Sequence, residues 1–140
     1  CPSSGCYEAE SASQSLLWEA KAHPGYAKSA LSSEKVVDFA ALFAHAGRGD
    51  AVAVAVRDRC IRYWTALMVS VIHAFDPDRI VVGGGVSEGA ELRPVLAAIQ
   101  EDVNKHAWIV EPVEIRAAEL GNRAGLIGIT TLFTHRPQCI

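Results

Sequence analysis

Apolar residues along this chain fall mostly at helical spacing, interrupted late in the sequence by two short β-branched runs. From Glu8 to about Ala22, good helix formers carry an apolar stripe at Leu16, Leu17 and Ala20, and the segment stops before Pro24-Gly25. Ser32 or Ser33 is placed to cap a second helix from Glu34 to about Ala46, with Gly47 as its stop. Asp50 is placed to cap a third. The first residues of that third segment, Ala51 to Val56, alternate with period two as a strand would. However, Val52, Val56, Tyr63, Leu67 and Val71 continue at helical spacing without a break, which predicts one helix from Asp50 to about Phe75.

Asp76-Pro77 breaks that helix, and Arg79-Ile-Val-Val82 then reads as a parallel strand buried on both faces, running into Gly83-Gly-Gly85. A helix from about Leu92 to His106, a strand near Val113 to Ala117 and a Gly-rich helix from about Ala124 to Phe133 complete a βαβα order. Right-handed crossover places the two strands parallel and adjacent or nearly so. Two parallel strands do not make a stable sheet alone, so three or so further strands are expected from outside these residues. The fold class is α/β, helix-rich, with an incomplete sheet.

Composition narrows the setting. The chain has 140 residues, half of them hydrophobic, enough for one domain with a core. Thirteen basic and sixteen acidic residues leave a net charge of -3, and the Lys and Arg are scattered, so no nucleic-acid surface is expected in this segment. No apolar run approaches the roughly 18 residues of a membrane span. The four cysteines lack short-scaffold spacing, which favours a reducing cytoplasm.

Three motifs carry candidate chemistry. Cys1 to Glu8 packs two thiols, a glycine turn and a carboxylate together, and Cys1 and Cys6 flank a loop tight enough to bring both sulfurs onto one ion. A closed structural zinc site takes four ligands. Cys60, Cys139 and five histidines are the internal candidates for the other two, and none stands at metal-ligand spacing from another. Since the chain starts at Cys1 with no initiator Met, the remaining ligands are expected upstream. In the second motif, Gly83 to Gly85, glycines past a strand end let backbone approach a phosphate, or simply make a tight turn. Glu88 stands where a dinucleotide fingerprint would need glycine. In the third, Glu119 to Gly128, Ala124, Gly125 and Gly128 put small residues on one helix face, suited to close packing or to a hinge. The histidines receive no role; Trp18, Trp64 and Trp108 read as core or lobe-interface residues, and Glu10 as solvated.

Taken in order, these motifs resemble the C-terminal lobe of the ROK family, bacterial sugar kinases and sugar-responsive repressors, over almost the whole chain. Cys1, Gly5, Cys6 and Glu8 match the last four fixed positions of its motif Cys-x-Cys-Gly-x-x-Gly-Cys-x-Glu, with Pro2 where the family has glycine. Gly49-Asp50, then Asp76-Pro77 and Ile80-Val-Val-Gly-Gly-Gly-Val-Ser87, then Leu120-Gly-x-x-Ala-Gly-Leu-Ile-Gly128 follow as in the family.

The resemblance implies the C-terminal part of an actin-like, ribonuclease-H-like ATPase lobe. Its parts are a half cysteine motif over 1–8, a helical segment over 9–75, the βαβα segment over 79–134 and a tail over 135–140. It makes Gly83, Gly84 and Gly85 the nucleotide motif, for ATP with Mg, and Glu8 a contact to a hexose. Cys1 and Cys6 become two ligands of a structural zinc, and the last helix crosses between lobes. The implied activity is that of an ATP-dependent, glucokinase-like hexose kinase, whose catalytic aspartate lies before Cys1, so this segment alone is expected to be inactive. The alternative is the effector-binding domain of a sugar-responsive repressor, with a helix-turn-helix domain ahead of it. Expected partners are the sugar, the missing N-terminal part of the same protein and further copies in a homo-oligomer.

Overall fold

In the computed structural model, which describes residues 5–84, 92–109 and 111–134, the helical spacing and the β-branched runs sort into eight helices and strands. They are α1 (Tyr7–Ser11), α2 (Ser13–Ala22), α3 (Phe39–Gly47), α4 (Ala51–Phe75), β1 (Arg79–Val82), α5 (Leu92–His106), β2 (Glu114–Ala117) and α6 (Ala124–Thr134). Short 3-10 turns at Tyr26–Lys28 and Ala30–Ser33 join α2 to α3, and another at Gly121–Arg123 leads into α6. The βαβα order stands as expected. The tail over 135–140 lies outside the described residues.

Two of the expected helices differ. The first is broken at Ala12, which is extended at φ -82 and ψ 162. Serine hydroxyls on either side bind backbone carbonyls, Ser11 to Tyr7 at 2.6 Å and Ser15 to Ala12 at 2.7 Å, and such bonds compete with the continuous ladder. The second helix begins at Phe39, not Glu34. The Ser32 hydroxyl donates backwards to the Ser29 carbonyl at 2.7 Å within a 3-10 turn, so it does not cap forwards. Asp38 caps instead, its carboxylate accepting the Ala41 N–H at 2.8 Å.

The long helix is as expected, and Asp50 starts it. One carboxylate oxygen accepts the Val52 and Ala53 N–H groups, both at 3.0 Å. The other accepts the Ala30 N–H at 2.8 Å, and the Ser29 hydroxyl donates to the same carboxylate. At the far end Asp76 closes α4 in the left-handed conformation, φ 45.

α4 is the spine against which α1, α2, α3 and α5 pack. Val52, Val56, Cys60, Met68 and Ile72 form its buried stripe, and Leu16, Leu31, Leu42, Ile99 and Val103 meet it from the other elements. Phe39, Phe43 and Trp64 form an aromatic cluster with ring centroids 5.2–6.4 Å apart. Trp64 thus packs on the core, whereas Trp18 and Trp108 point outward, 74% and 95% exposed, contrary to a core reading.

β1 and β2 pair in parallel, Arg79 opposite Glu114 through Val82 opposite Ala117. Ile80 and Val82 pack on the helical layer while Val81 is 59% exposed, so β1 is covered on one face only. The expected second layer is not supplied by these residues. Gln100 of α5 closes the outer edge of β2: its amide nitrogen donates to the Val113 carbonyl at 3.0 Å, and its oxygen accepts the Ile115 N–H at 2.8 Å. Further strands can therefore extend the sheet on the β1 side. A Cβ added at Gly125 or Gly128 would meet nothing within 4 Å, so among the described residues no helix packs closely on the small face of α6.

Candidate functional site

The loop before α1 turns at Gly5, whose φ of +77 is a conformation that side-chain-bearing residues rarely adopt. This turn presents Cys6, half-buried, as the residue preceding α1. Cys1 lies outside the described residues. Glu8, in the first turn of α1, is exposed and lines a cavity of about 340 Å³ with Ser13, Gln14 and Trp18, in the bend between α1 and α2.

Glu10 is half-buried and paired, not a free surface carboxylate. It faces α4, where the Arg59 guanidinium meets its carboxylate at 2.5 Å and donates to its backbone carbonyl at 2.9 Å. Arg59 also lies 3.2 Å from the Glu19 carboxylate of α2 and 4.8 Å from the Tyr63 ring centroid. The hydrogen bond from Arg59, reinforced by the Gly5 N–H, holds the Glu10 carboxyl below the usual carboxylate range. Burial opposes the charge on Arg59, but the Glu10 bond and the Glu19 and Tyr63 oxygens outweigh it and raise its pKa.

Gly83 and Gly84 follow β1; Gly85 lies outside the described residues. Gly84 has φ +85, with open space where a Cβ would project. Gly83 forms one wall of a cavity of about 410 Å³ whose other walls include Ser11, Ala12 and Ser13 at the α1–α2 bend and Trp64 and Met68 of α4. The fold thus brings the end of the helix carrying Glu8 and the glycine end of β1 to one cleft. A larger cavity, about 790 Å³, opens between Asp76–Asp78 and Trp108–Val113 and is lined by neither Glu8, the cysteines nor the glycine run.

Zinc does not find a closed site among the described residues, where no three His, Cys, Asp or Glu side chains gather to hold a metal ion. Cys60, one of the internal candidates, is buried in the core; burial, with Glu19 assisting and Arg59 opposing, pushes its thiol up to about 11, away from a ligating thiolate. The described histidines are engaged separately. His23 accepts the Gly25 N–H, His45 pairs with Glu34, His73 accepts the Trp108 N–H, and His106 bonds the Asp102 carbonyl. No described helix is long and apolar enough to cross a membrane.

The ROK family model matches residues 1–136, and the chain belongs to the ROK family. Glucokinase from Thermotoga maritima is 27% identical over 97% of this chain and 44% of its own length. The crystal structure of a ROK family glucokinase from Streptomyces griseus, in complex with glucose and AMPPNP, superimposes with a TM-score of 0.74 at 29% identity, over 94% of this chain and 45% of that one. A ROK family transcriptional regulator, a homologue of the E. coli MLC protein, gives 0.66 at 23% identity over 84% of this chain and 30% of that one, a likeness of fold alone. The fold is the C-terminal part of an actin-like, ribonuclease-H-like ATPase lobe. The chain spans less than half the length of these relatives.

Sequence reasoning missed Arg59. Glu10 and Arg59 are 49 positions apart, so spacing does not pair them. One signal was available: Arg59 is a charge set beside Cys60 on the apolar stripe of α4, where a partner is required.

Proposed function

We propose that this chain is the carboxy-terminal part of an ATP-dependent hexose kinase. The observation that carries the reading is the cleft in which the bend after Glu8 and the glycine end of β1 face each other. A kinase must hold a sugar hydroxyl close to the nucleotide phosphates, and here Glu8 lines the adjoining cavity with Ala12 and Ser13, the same bend residues that face Gly83. Glu8 is exposed on α1, as a carboxylate that accepts hydrogen bonds from two vicinal hydroxyls needs to be. Gly83 to Gly85 would hold the nucleotide, since the backbone beyond β1 carries no side chain to keep a phosphate away. ATP with bound Mg would supply the phosphoryl group. The base that activates the sugar hydroxyl belongs to the amino-terminal half, and we expect the chain alone to be inactive.

The likeness to a glucokinase crystallised with glucose and AMPPNP supports a hexose and a nucleotide as ligands. Cys1 and Cys6 would give two ligands of a structural zinc, the others coming from upstream. Free thiols at Cys6 and Cys60 suit a cytoplasmic protein, and the family likeness suits a homo-oligomer. A repressor that senses sugar would use the same Glu8, and membership of a family that holds both kinases and repressors makes it the second reading. The Gly83-Gly-Gly85 run favours the kinase, because a repressor has no phosphoryl group to transfer.

Glu8→Gln tests the sugar contact in either case. The substitution keeps the shape but replaces an acceptor oxygen with a donor, leaving a mismatched pair. Hydrogen bonds to charged groups contribute about 1.5–3 kcal/mol, so sugar affinity measured by calorimetry should fall roughly 10- to 150-fold in the full-length protein. Nucleotide affinity should change far less. Unchanged sugar binding in a folded variant would make Glu8 an ordinary helix-start carboxylate favoured by the macrodipole.

A further inference from the structure

A helix of five residues does not hold itself together. Isolated helices shorter than about 12–15 residues are marginal in water, so α1 keeps its shape and direction only through what it is fastened to. α1 packs on α4 and α2, and the polar fastening is Arg59. Its guanidinium reaches the Glu10 carboxylate at 2.5 Å, the Glu10 carbonyl near the end of α1 at 2.9 Å and the Glu19 carboxylate of α2 at 3.2 Å, and it lies over the Tyr63 ring. The second Glu10 oxygen faces the Gly5 N–H at 3.5 Å, so the same carboxylate also touches the loop that carries Cys6. The Arg59 and Glu10 side chains are only 24% and 22% exposed.

Glu8 and Glu10 are two residues apart, roughly 200° around a helix, and so take opposite faces. Glu10 points in at Arg59 while Glu8 stands exposed. We propose that Arg59 is a positioning residue for sugar recognition. By locking Glu10 against α4 it sets the direction in which α1 presents Glu8, an inference that rests on Glu8 being the sugar-binding carboxylate. Arginine suits the task because its planar fork offers several N–H donors to separate acceptors at once, whereas a lysine ammonium acts as a point charge.

The experiment compares Arg59→Met, Arg59→Lys, Glu10→Gln and Glu8→Gln in the full-length protein. Three quantities are measured: glucose affinity by calorimetry, the Michaelis constant for ATP, and amide hydrogen exchange over residues 5–11. Arg59→Met should speed exchange across α1 and weaken glucose binding about tenfold, the loss expected when an ordered side chain is left mobile. The ATP constant should stay unchanged, Glu10→Gln should follow in the same direction, and Arg59→Lys should recover part of the loss. A merely structural arginine would lower melting temperature without a selective loss of sugar affinity. Unchanged exchange over residues 5–11 would overturn the clamp itself. Faster exchange with full glucose affinity, in a protein where Glu8→Gln does weaken glucose binding, would overturn the positioning role. If Glu8→Gln leaves glucose binding intact, the reading of Glu8 fails and takes the positioning role with it, while the exchange data still report on the clamp.

Discussion

Gly84 and its neighbour Gly83 look alike in sequence but differ in what they tolerate. At Gly83 an added Cβ would sit 3.6 Å from the Ala118 Cβ, an ordinary contact, with no backbone strain. At Gly84 the space is open but φ is +85, a region that costs a side-chain-bearing residue roughly 1–2 kcal/mol. Valine adds a branched Cβ that restricts the turn and projects where we place the nucleotide. Gly84→Val should therefore raise the Michaelis constant for ATP more than that for sugar, in steady-state kinetics on the full-length protein. Equal effects on both substrates would leave Gly84 as a turn residue only.

Among the elements, α4 depends most on a single residue at its start. Burial raises the cost of charging Asp50, yet the N–H groups of Ala53 and Ala30, the Ser29 hydroxyl and the Val52 N–H outweigh it, so its pKa lies below the ordinary value of 3.8. A folded pKa below the unfolded one adds stability that is complete above the unfolded value and is lost as pH falls through the folded value. Asp50→Ala removes a helix cap and leaves Ser29 and Ala30 without their shared acceptor, so it should cost at least the ~1–2 kcal/mol of a strong cap in urea unfolding near neutral pH. The gap between wild type and variant should narrow as pH drops below the ordinary carboxylate range. A gap that stays constant down to acid pH would mean that Asp50 acts by shape and not by charge.

At the scale of the whole molecule, the two-stranded sheet is open on one side among the described residues. Gln100 satisfies the outer edge of β2, while Val81 of β1 stays exposed and the far edge of β1 has no such cover among the described residues. Strands from the rest of the protein should therefore pair with β1. In hydrogen exchange, β1 amides should gain protection in the full-length protein relative to this chain alone, whereas the Ile115 amide should be equally protected in both. Protection gained at β2 and not at β1 would reverse the strand order assumed for the lobe.

Much of this architecture was legible along the chain, because helix and strand follow local periodicity. The helical spacing from Val52 and the Asp50 cap placed α4, although its second half buries Cys60, Met68 and Ile72 and leaves Leu67 exposed; the β-branched run placed β1, and the βαβα order already implied parallel pairing. Gly5, Cys6, Gly83 and Gly84 were named from spacing and turn chemistry, which are local properties, and Glu8 from the family resemblance. Tertiary structure alone decided the rest. The break at Ala12 and the late start at Phe39 turn on which of several serine and aspartate side chains wins a backbone partner, a competition that propensity cannot settle. Meeting of the α1–α2 bend with Gly83, and of Glu10 with Arg59, joins residues remote in sequence. Such pairings are chosen by which faces pack together on α4, and no periodicity within one segment records its neighbour's face.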